Sequence, residues 1–285
     1  MTLISNMVLY KMNINKFNRY INLFIERLKY SGNLTRNKLL FYIISSQRNS
    51  GDAAKKCLDS VYYQNYDKRY LKHIFIDDAS EDNTDAIVQL WLSQHPDHCV
   101  DYIKNSIRVG GTENNLHGFS NAPSDSIVVE LNGDDWLADN KVITFLNNVY
   151  SNSDIWMTYN TFKFTDGTIP ESLIPIPHFV IQTNSFREFS WVSSHLHSFR
   201  AGLFRYLNEE TFIDPDTGTF WESSDDQAVY LSLLELCGEH SRNIYRVNYV
   251  YNLRNESHQN WEADESIDRC NRIRKMPRYS PLSKL

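Results

Sequence analysis

His73-Ile74-Phe75-Ile76-Asp77-Asp78-Ala79-Ser80-Glu81-Asp82-Asn83-Thr84 runs from a short apolar stretch into an acidic turn and then into a helix. The apolar stretch has the length of a buried strand, and Asp77-Asp78 ends it. Ser80 or Asp82 is placed to cap the helix that follows, which carries Ile87, Leu90 and Trp91. The same order recurs on either side. Upstream, Leu39-Leu40-Phe41-Tyr42-Ile43-Ile44 is a continuous apolar run of the kind buried on both faces in a parallel sheet. Asp52 then caps a helix with Ala54, Leu58, Val61 and Tyr62 on one face. Downstream, a strand is predicted at Cys99 to Ile103. Ile127-Val128-Val129 then leads through Leu131-Asn132-Gly133 to Asp134-Asp135, and a helix turns Val142, Phe145, Leu146 and Val149 inward. Alternating strands and helices imply right-handed crossovers and an α/β fold, its mainly parallel sheet covered on both faces. Ligands in such sheets bind beyond the carboxyl ends of the strands, so the topology brings both acidic pairs to one edge.

Composition narrows the class. With 285 residues, 41% hydrophobic and 22% charged, the chain can bury a substantial core. A net charge of -6 supplies no field for a nucleic-acid backbone, so nucleic acid is not an expected partner. Cys57, Cys99, Cys237 and Cys270 are scattered, without the spacing of a zinc or redox motif, and read as reduced thiols. There is no apolar run of about 20 residues and no signal-peptide pattern, so a cytoplasmic location is the expectation. Phe17, Tyr20, Ile21, Phe24, Ile25 and Leu28 form one helical stripe, predicted to pack on the chain's own core, with a dimer or a membrane-surface contact as the alternative.

The acidic pairs carry the chemistry. A leaving nucleoside diphosphate develops charge that a hard cation, held by one or two carboxylates and the phosphates themselves, can neutralise. Asp134-Asp135 fits that task; the plainer reading is an Asx-type turn ending a strand. At Asp77-Asp78 a carboxylate can accept from a pyrimidine N–H while its neighbours cap the helix. Two such pairs at equivalent strand ends are more than capping requires.

Ile43-Ile44-Ser45-Ser46, Asp77-Asp78-Ala79-Ser80-Glu81-Asp82-Asn83-Thr84 and Asn132-Gly133-Asp134-Asp135-Trp136-Leu137 together resemble, in order, the signatures of family 2 glycosyltransferases. The resemblance covers about residues 38–255. It implies a GT-A-type, Rossmann-like central mixed, mainly parallel sheet flanked by helices. It also implies that Ser45 and Asp78 contact the uracil or ribose of a UDP-sugar, that Asp134 reaches the ribose, and that Asp135 binds Mn2+ or Mg2+. Two departures stand out: Asn132 where members often carry Asp, and Gln47-Arg48 in place of the usual Tyr-Asn. Arg108, ahead of Gly110-Gly111, resembles the start of the family's Gly-rich turn and is a candidate for pairing with phosphate or stacking on the base; an exposed surface arginine is the plainer reading.

Inverting transfer needs a general base for the acceptor hydroxyl. The segment Phe220 to Val229 resembles the family's acidic base motif at the start of a helix. Of Asp225 and Asp226, one suits an N-cap and the other, Asp226, is assigned as base. Trp191 and Trp221 are candidates for a sugar platform, though a core role is the commoner use of Trp. His195 and His197 share a strand face; with no third ligand nearby in sequence, they read as acceptor contacts rather than a zinc site. His258 is a candidate third metal ligand, as a C-terminal His is in some GT-A enzymes.

The expected organisation is an N-terminal helical extension (1–37), a catalytic domain (38–255) and a C-terminal tail (256–285) lying over the surface or partly ordered. The expected function is inverting transfer of a hexose from a UDP-sugar to a hydroxyl of a glycan or glycoprotein, with Thr165 to Ser190 as the acceptor-side loop. A homodimer through the N-terminal helix is the assembly that the alternative reading of its apolar stripe implies. A binding module of the same fold without catalysis, or a nucleotidyltransferase, is the alternative.

Overall fold

The computed structural model describes residues 18–30, 37–253 and 264–285, apart from the side chains of Asn160, Asp225 and Asp264. Helix α1 (18–30) is followed by β1 (Phe41–Gln47), α2 (Asp52–Tyr62), β2 (Leu71–Asp77), α3 (Thr84–Gln94), β3 (Val100–Lys104), α4 (Gly111–Ser120) and β4 (Ile127–Glu130). The second half contributes β5 (Trp136–Leu137), α5 (Val142–Tyr150), β6 (Met157–Phe164), α6 (His178–Gln182), β7 (Ser198–Arg200), α7 (Asp225–Cys237), β8 (Ser241–Tyr251) and α8 (Asp264–Lys275).

The strands form one sheet in the order β3-β2-β1-β4-β7-β6-β8-β5. The β3-β2-β1-β4 half is parallel throughout. In the other half β7 runs antiparallel to β4 and β6, and β5 antiparallel to β8, while β6 and β8 are parallel. The strand period of two distributes β1 between two cores. Phe41 and Ile43 pack with Ala54, Leu58, Val88, Trp91, Leu146 and Val149 from α2, α3 and α5. Ile44 packs on the other face with Phe119 of α4 and with Val229, Leu233 and Leu236 of α7. The mainly parallel, helix-covered sheet expected from the sequence is the sheet observed.

The N-terminal end of the chain differs from expectation. On α1 the apolar stripe points outward: Tyr20, Phe24 and Leu28 are 72%, 63% and 67% exposed. The helix docks through Glu26, whose carboxylate accepts the backbone N–H groups of Tyr245 (3.1 Å) and Arg246 (2.8 Å), and through Tyr30. Satisfying two strand N–H groups fixes this orientation against the apolar pattern. Residues 264–285 lie over the surface and are tied to the interior through α8. Ile273 of α8 is fully buried, and its carbonyl accepts from Arg187. That arginine pairs in the interior with Glu235 of α7 (2.5 Å), which also accepts the Tyr279 N–H. All four cysteines are free. Among the described residues no helix is long and apolar enough to cross a membrane.

Candidate active site

The carboxyl ends of β1, β2 and β4 form the acidic edge. Gly133 makes the β4 turn possible: a Cβ there would stand 2.7 Å from Gln47 Cβ and 2.8 Å from Gln47 Cγ, so only glycine lets the loop pass the end of β1. Beyond it, Asp135 is fully buried. Its Oδ1 accepts the Asn252 N–H at 2.6 Å, and its Oδ2 accepts the Tyr249 hydroxyl. Asn132 Nδ2 approaches Oδ2 at 3.5 Å. Asp135 thus ties the loop to β8, both of its oxygens accepting from donors of that strand's end. Asp134 keeps 7% exposure, and its carbonyl accepts from Asn252 Nδ2 at 3.2 Å. The two residues of the doublet thus differ in their partners, Asp135 through its carboxylate and Asp134 through its carbonyl.

At the end of β2 the two aspartates also divide. Asp77 accepts from Ser80 N (3.0 Å) and the Ser80 hydroxyl, an Asx turn entering α3. Asp78 accepts from Val109 N, Gly110 N and Asn105 Nδ2, each at 2.9 Å. Burial works to raise its pKa, but the bonds from Val109, Asn105, Gly110 and Asn114 outweigh it and hold the carboxyl below its ordinary value. Asp78 thus fastens the turn that carries Arg108, with Gly110 at φ +96° supplying its backbone. Arg108 is exposed.

Ser45 lies elsewhere. It is fully buried on the α2 side of β1, its hydroxyl bonded to His73 Nε2 (3.0 Å) and near Cys57 Sγ (3.6 Å). Strand alternation places it on the face of β1 that Phe41 and Ile43 share. Burial pushes His73 down to about 3, so this pair is neutral. Arg48 is paired with Glu81 at 2.8 Å.

Helix α7 opens beside the edge. Ser224, left-handed at φ 62°, turns the chain into Asp225 and Asp226. The Asp225 side chain lies outside the described residues, as does His258. Asp226 is half-buried, accepts its neighbour's N–H at 2.8 Å and lines a cavity of about 880 Å³. Trp191, His195, Tyr251 and Arg269 share that wall, with Pro170, Ser172 and Leu173 from the predicted acceptor-side loop. Trp221 is in the core, its indole N–H donating to the Thr211 carbonyl. Tyr251 connects the parts: burial, then the field of Asp135, Asp134 and Asp226, raises its phenol far above the ordinary value. Three carboxylates around one phenol concentrate negative charge where the sheet edge meets the cavity, an arrangement that suits a divalent cation held by Asp134 and ligand oxygens.

Sequence reasoning missed Tyr249, Tyr251, Asn252 and Arg269. The run Tyr249 to Asn252 was legible as a strand, but nothing in it signals that its polar groups clasp Asp135. Arg269 belongs to a helix taken for tail.

The family model for glycosyl transferase family 2 matches residues 42–212. No curated protein matches the sequence. Among solved structures, Staphylococcus aureus TarS 1–349 superposes with a TM-score of 0.58 at 16% identity, covering 75% of this chain and 60% of that one. The same protein in complex with UDP-GlcNAc gives 0.59 at 15% identity, over 76% and 59%. The mannosyltransferase PcManGT from Pyrobaculum calidifontis, in complex with GDP-Man and Mn2+, gives 0.55 at 14%, over 91% and 71%. The chain thus spans about 60% of the TarS 1–349 chain, and at these identities the likeness is one of fold.

Proposed function

The chain belongs to glycosyl transferase family 2, and from that premise we propose that it transfers a hexose from a UDP-sugar to a hydroxyl of a glycan or glycoprotein, with inversion. The observation that carries this reading is that Asp226, at the start of α7, and Tyr251, next to the Asn252 that is bonded to the acidic pair, line the same cavity of about 880 Å³. The donor diphosphate lies at the acidic edge and the acceptor enters the cavity. Asp226 takes the proton from the acceptor hydroxyl as its oxygen attacks the anomeric carbon and the bond to the diphosphate breaks. Its place at a helix N-terminus favours the ionised form a base requires. A bound Mn2+ or Mg2+ offsets charge on the leaving UDP. Asp134 is its protein ligand, replacing Asp135 in that role. His258 is a candidate for a further one, because Asn252, six residues earlier, is already bonded to the acidic pair. Mn2+ beside GDP-Man in PcManGT, and UDP-GlcNAc in TarS, support a cation and a nucleotide-sugar donor.

Asp78 acts here by fixing the 108–110 turn, from which Arg108 pairs with phosphate. Trp191 offers a sugar platform in the cavity wall. The exposed stripe of α1 supports a homodimer through that helix, and a cytoplasmic location belongs to the same reading. Asn132, together with the satisfied Asp135, favours one rival, a binding module without catalysis. Incubation with Mn2+, UDP-sugars and glycan acceptors separates the readings. Acceptor-dependent UDP release supports transfer; pyrophosphate release points to a nucleotidyltransferase; binding without either supports the module.

A further inference from the structure

Apart from the acidic edge, three ligand-type side chains meet in the interior. Glu130 closes β4, and His195 and His197 precede β7; one ligand atom from each lies within 4.8 Å of the others. The sequence offered only the two histidines, and the sheet supplies Glu130, because β4 and β7 are neighbours and the Glu130 N–H donates to the His197 carbonyl. Glu130 Oε2 and His197 Nδ1 are buried, without a hydrogen-bond partner, and stand 3.6 Å apart. That separation is too long for a hydrogen bond. It is close to the ~3.4 Å edge of a tetrahedral site with ligand bonds of about 2.0–2.1 Å.

The rest of each group is held from outside. Asn115 Nδ2 donates to Glu130 Oε1 at 2.9 Å, leaving Oε2 directed inward. Ser193 Oγ lies 3.0 Å from His197 Nε2, an acceptor for the N–H of the tautomer that bares Nδ1. Tyr230 stacks on the His197 ring at 3.6 Å. A buried carboxyl oxygen and an imidazole nitrogen thus face each other across a gap that no hydrogen bond spans, two ligand atoms directed at one point.

We propose that Glu130, His195 and His197 form a second cation site, for Zn2+ or an ion of similar ligand preference, in the wall of the cavity that Asp226 lines. Two imidazoles and one carboxylate are a donor set that suits zinc rather than Mg2+. His195 is the ligand that reaches the cavity, and its ring stacks on Tyr249 at 4.8 Å, the residue that holds Asp135. The site uses neither Asp134 nor Asp226, and its occupancy can be read without nucleotide or acceptor.

Co2+ alone, added without nucleotide to protein stripped with chelator, tests it by visible absorption. The wild type is expected to take up one equivalent with tetrahedral d–d bands, displaced by Zn2+. Glu130→Gln and His195→Gln are expected to lose the bands, with affinity falling by more than the roughly 10- to 100-fold that loss of an outer partner costs. Asp134→Asn is expected to keep them. Far-UV circular dichroism confirms that each variant is folded; His195, half-buried, serves if Glu130→Gln does not fold. Wild-type protein without such bands, bands that survive His195→Gln in folded protein, or bands lost in Asp134→Asn would overturn the assignment.

Discussion

Replacing Asp135 by Asn separates an anchor from a metal ligand. The carboxylate is fully buried and accepts the Asn252 N–H at 2.6 Å and the Tyr249 hydroxyl. Hydrogen bonds to a charged group contribute about 1.5–3 kcal/mol each. An Asn side chain keeps one acceptor, now neutral, and presents an amide where Oδ2 stood. There it meets Asn132 Nδ2, another donor, at 3.5 Å. Losing one bond and weakening the other gives a destabilisation of about 2–4 kcal/mol. Asp134→Asn is expected to destabilise by less than Asp135→Asn while weakening Mn2+-dependent UDP binding. Urea unfolding followed by circular dichroism, with calorimetric titration of UDP and Mn2+, measures both. If Asp135→Asn unfolds at the wild-type midpoint while Asp134→Asn is the destabilised variant, the division of roles is refuted.

Gly133→Ala pushes a Cβ to 2.7 Å from Gln47 Cβ, and the overpacking is expected to cost about 1–3 kcal/mol in the same unfolding assay. Phe24→Asp and Leu28→Asp, on the exposed face of α1, are expected to leave the monomer's unfolding midpoint within about 0.5 kcal/mol of wild type; a large loss would mean that the face is buried. Docking of α1 should depend on pH through Glu26, which burial raises from 4.5 to about 7 despite the Tyr245 and Arg246 N–H groups. A raised carboxyl pKa means that docking takes up a proton. The stabilisation is complete below pH 4.5 and is lost as pH rises through about 7, by at most about 3 kcal/mol. Hydrogen exchange of the α1 amides, corrected for intrinsic rate, should show stronger protection at pH 5.5 than at pH 8; the reverse order would contradict the assignment.

The parallel half of the sheet was legible because β1, β2 and β4 are short apolar runs separated by helical stripes, and those patterns are local, although the cap expected at Asp52 is not formed and Gly51 takes that position without a side-chain bond. The other half was not: β5 has two residues and β7 three, too short for any period to register. The acidic edge was legible as types and spacing. Which aspartate anchors the loop was not, because that depends on Asn252 and Tyr249, more than a hundred residues away. Ser45 shows the same limit, its strand face being set by which core Phe41 and Ile43 join. The apolar pattern of α1 suggested a buried stripe, and a single glutamate satisfying two backbone donors turned the helix over. Glu130 gave no sign in the sequence of its meeting with His197, since only the pairing of β4 with β7 brings them together.

The central claim is tested most directly by following UDP release from a UDP-sugar with Mn2+ and a hydroxyl acceptor, in wild type and Asp226→Asn. The wild type is expected to release UDP in proportion to glycosylated product, and Asp226→Asn to bind UDP as tightly while transferring at least about 100-fold more slowly. Transfer by Asp226→Asn at the wild-type rate, or wild-type protein that releases no UDP with any UDP-sugar, would contradict it.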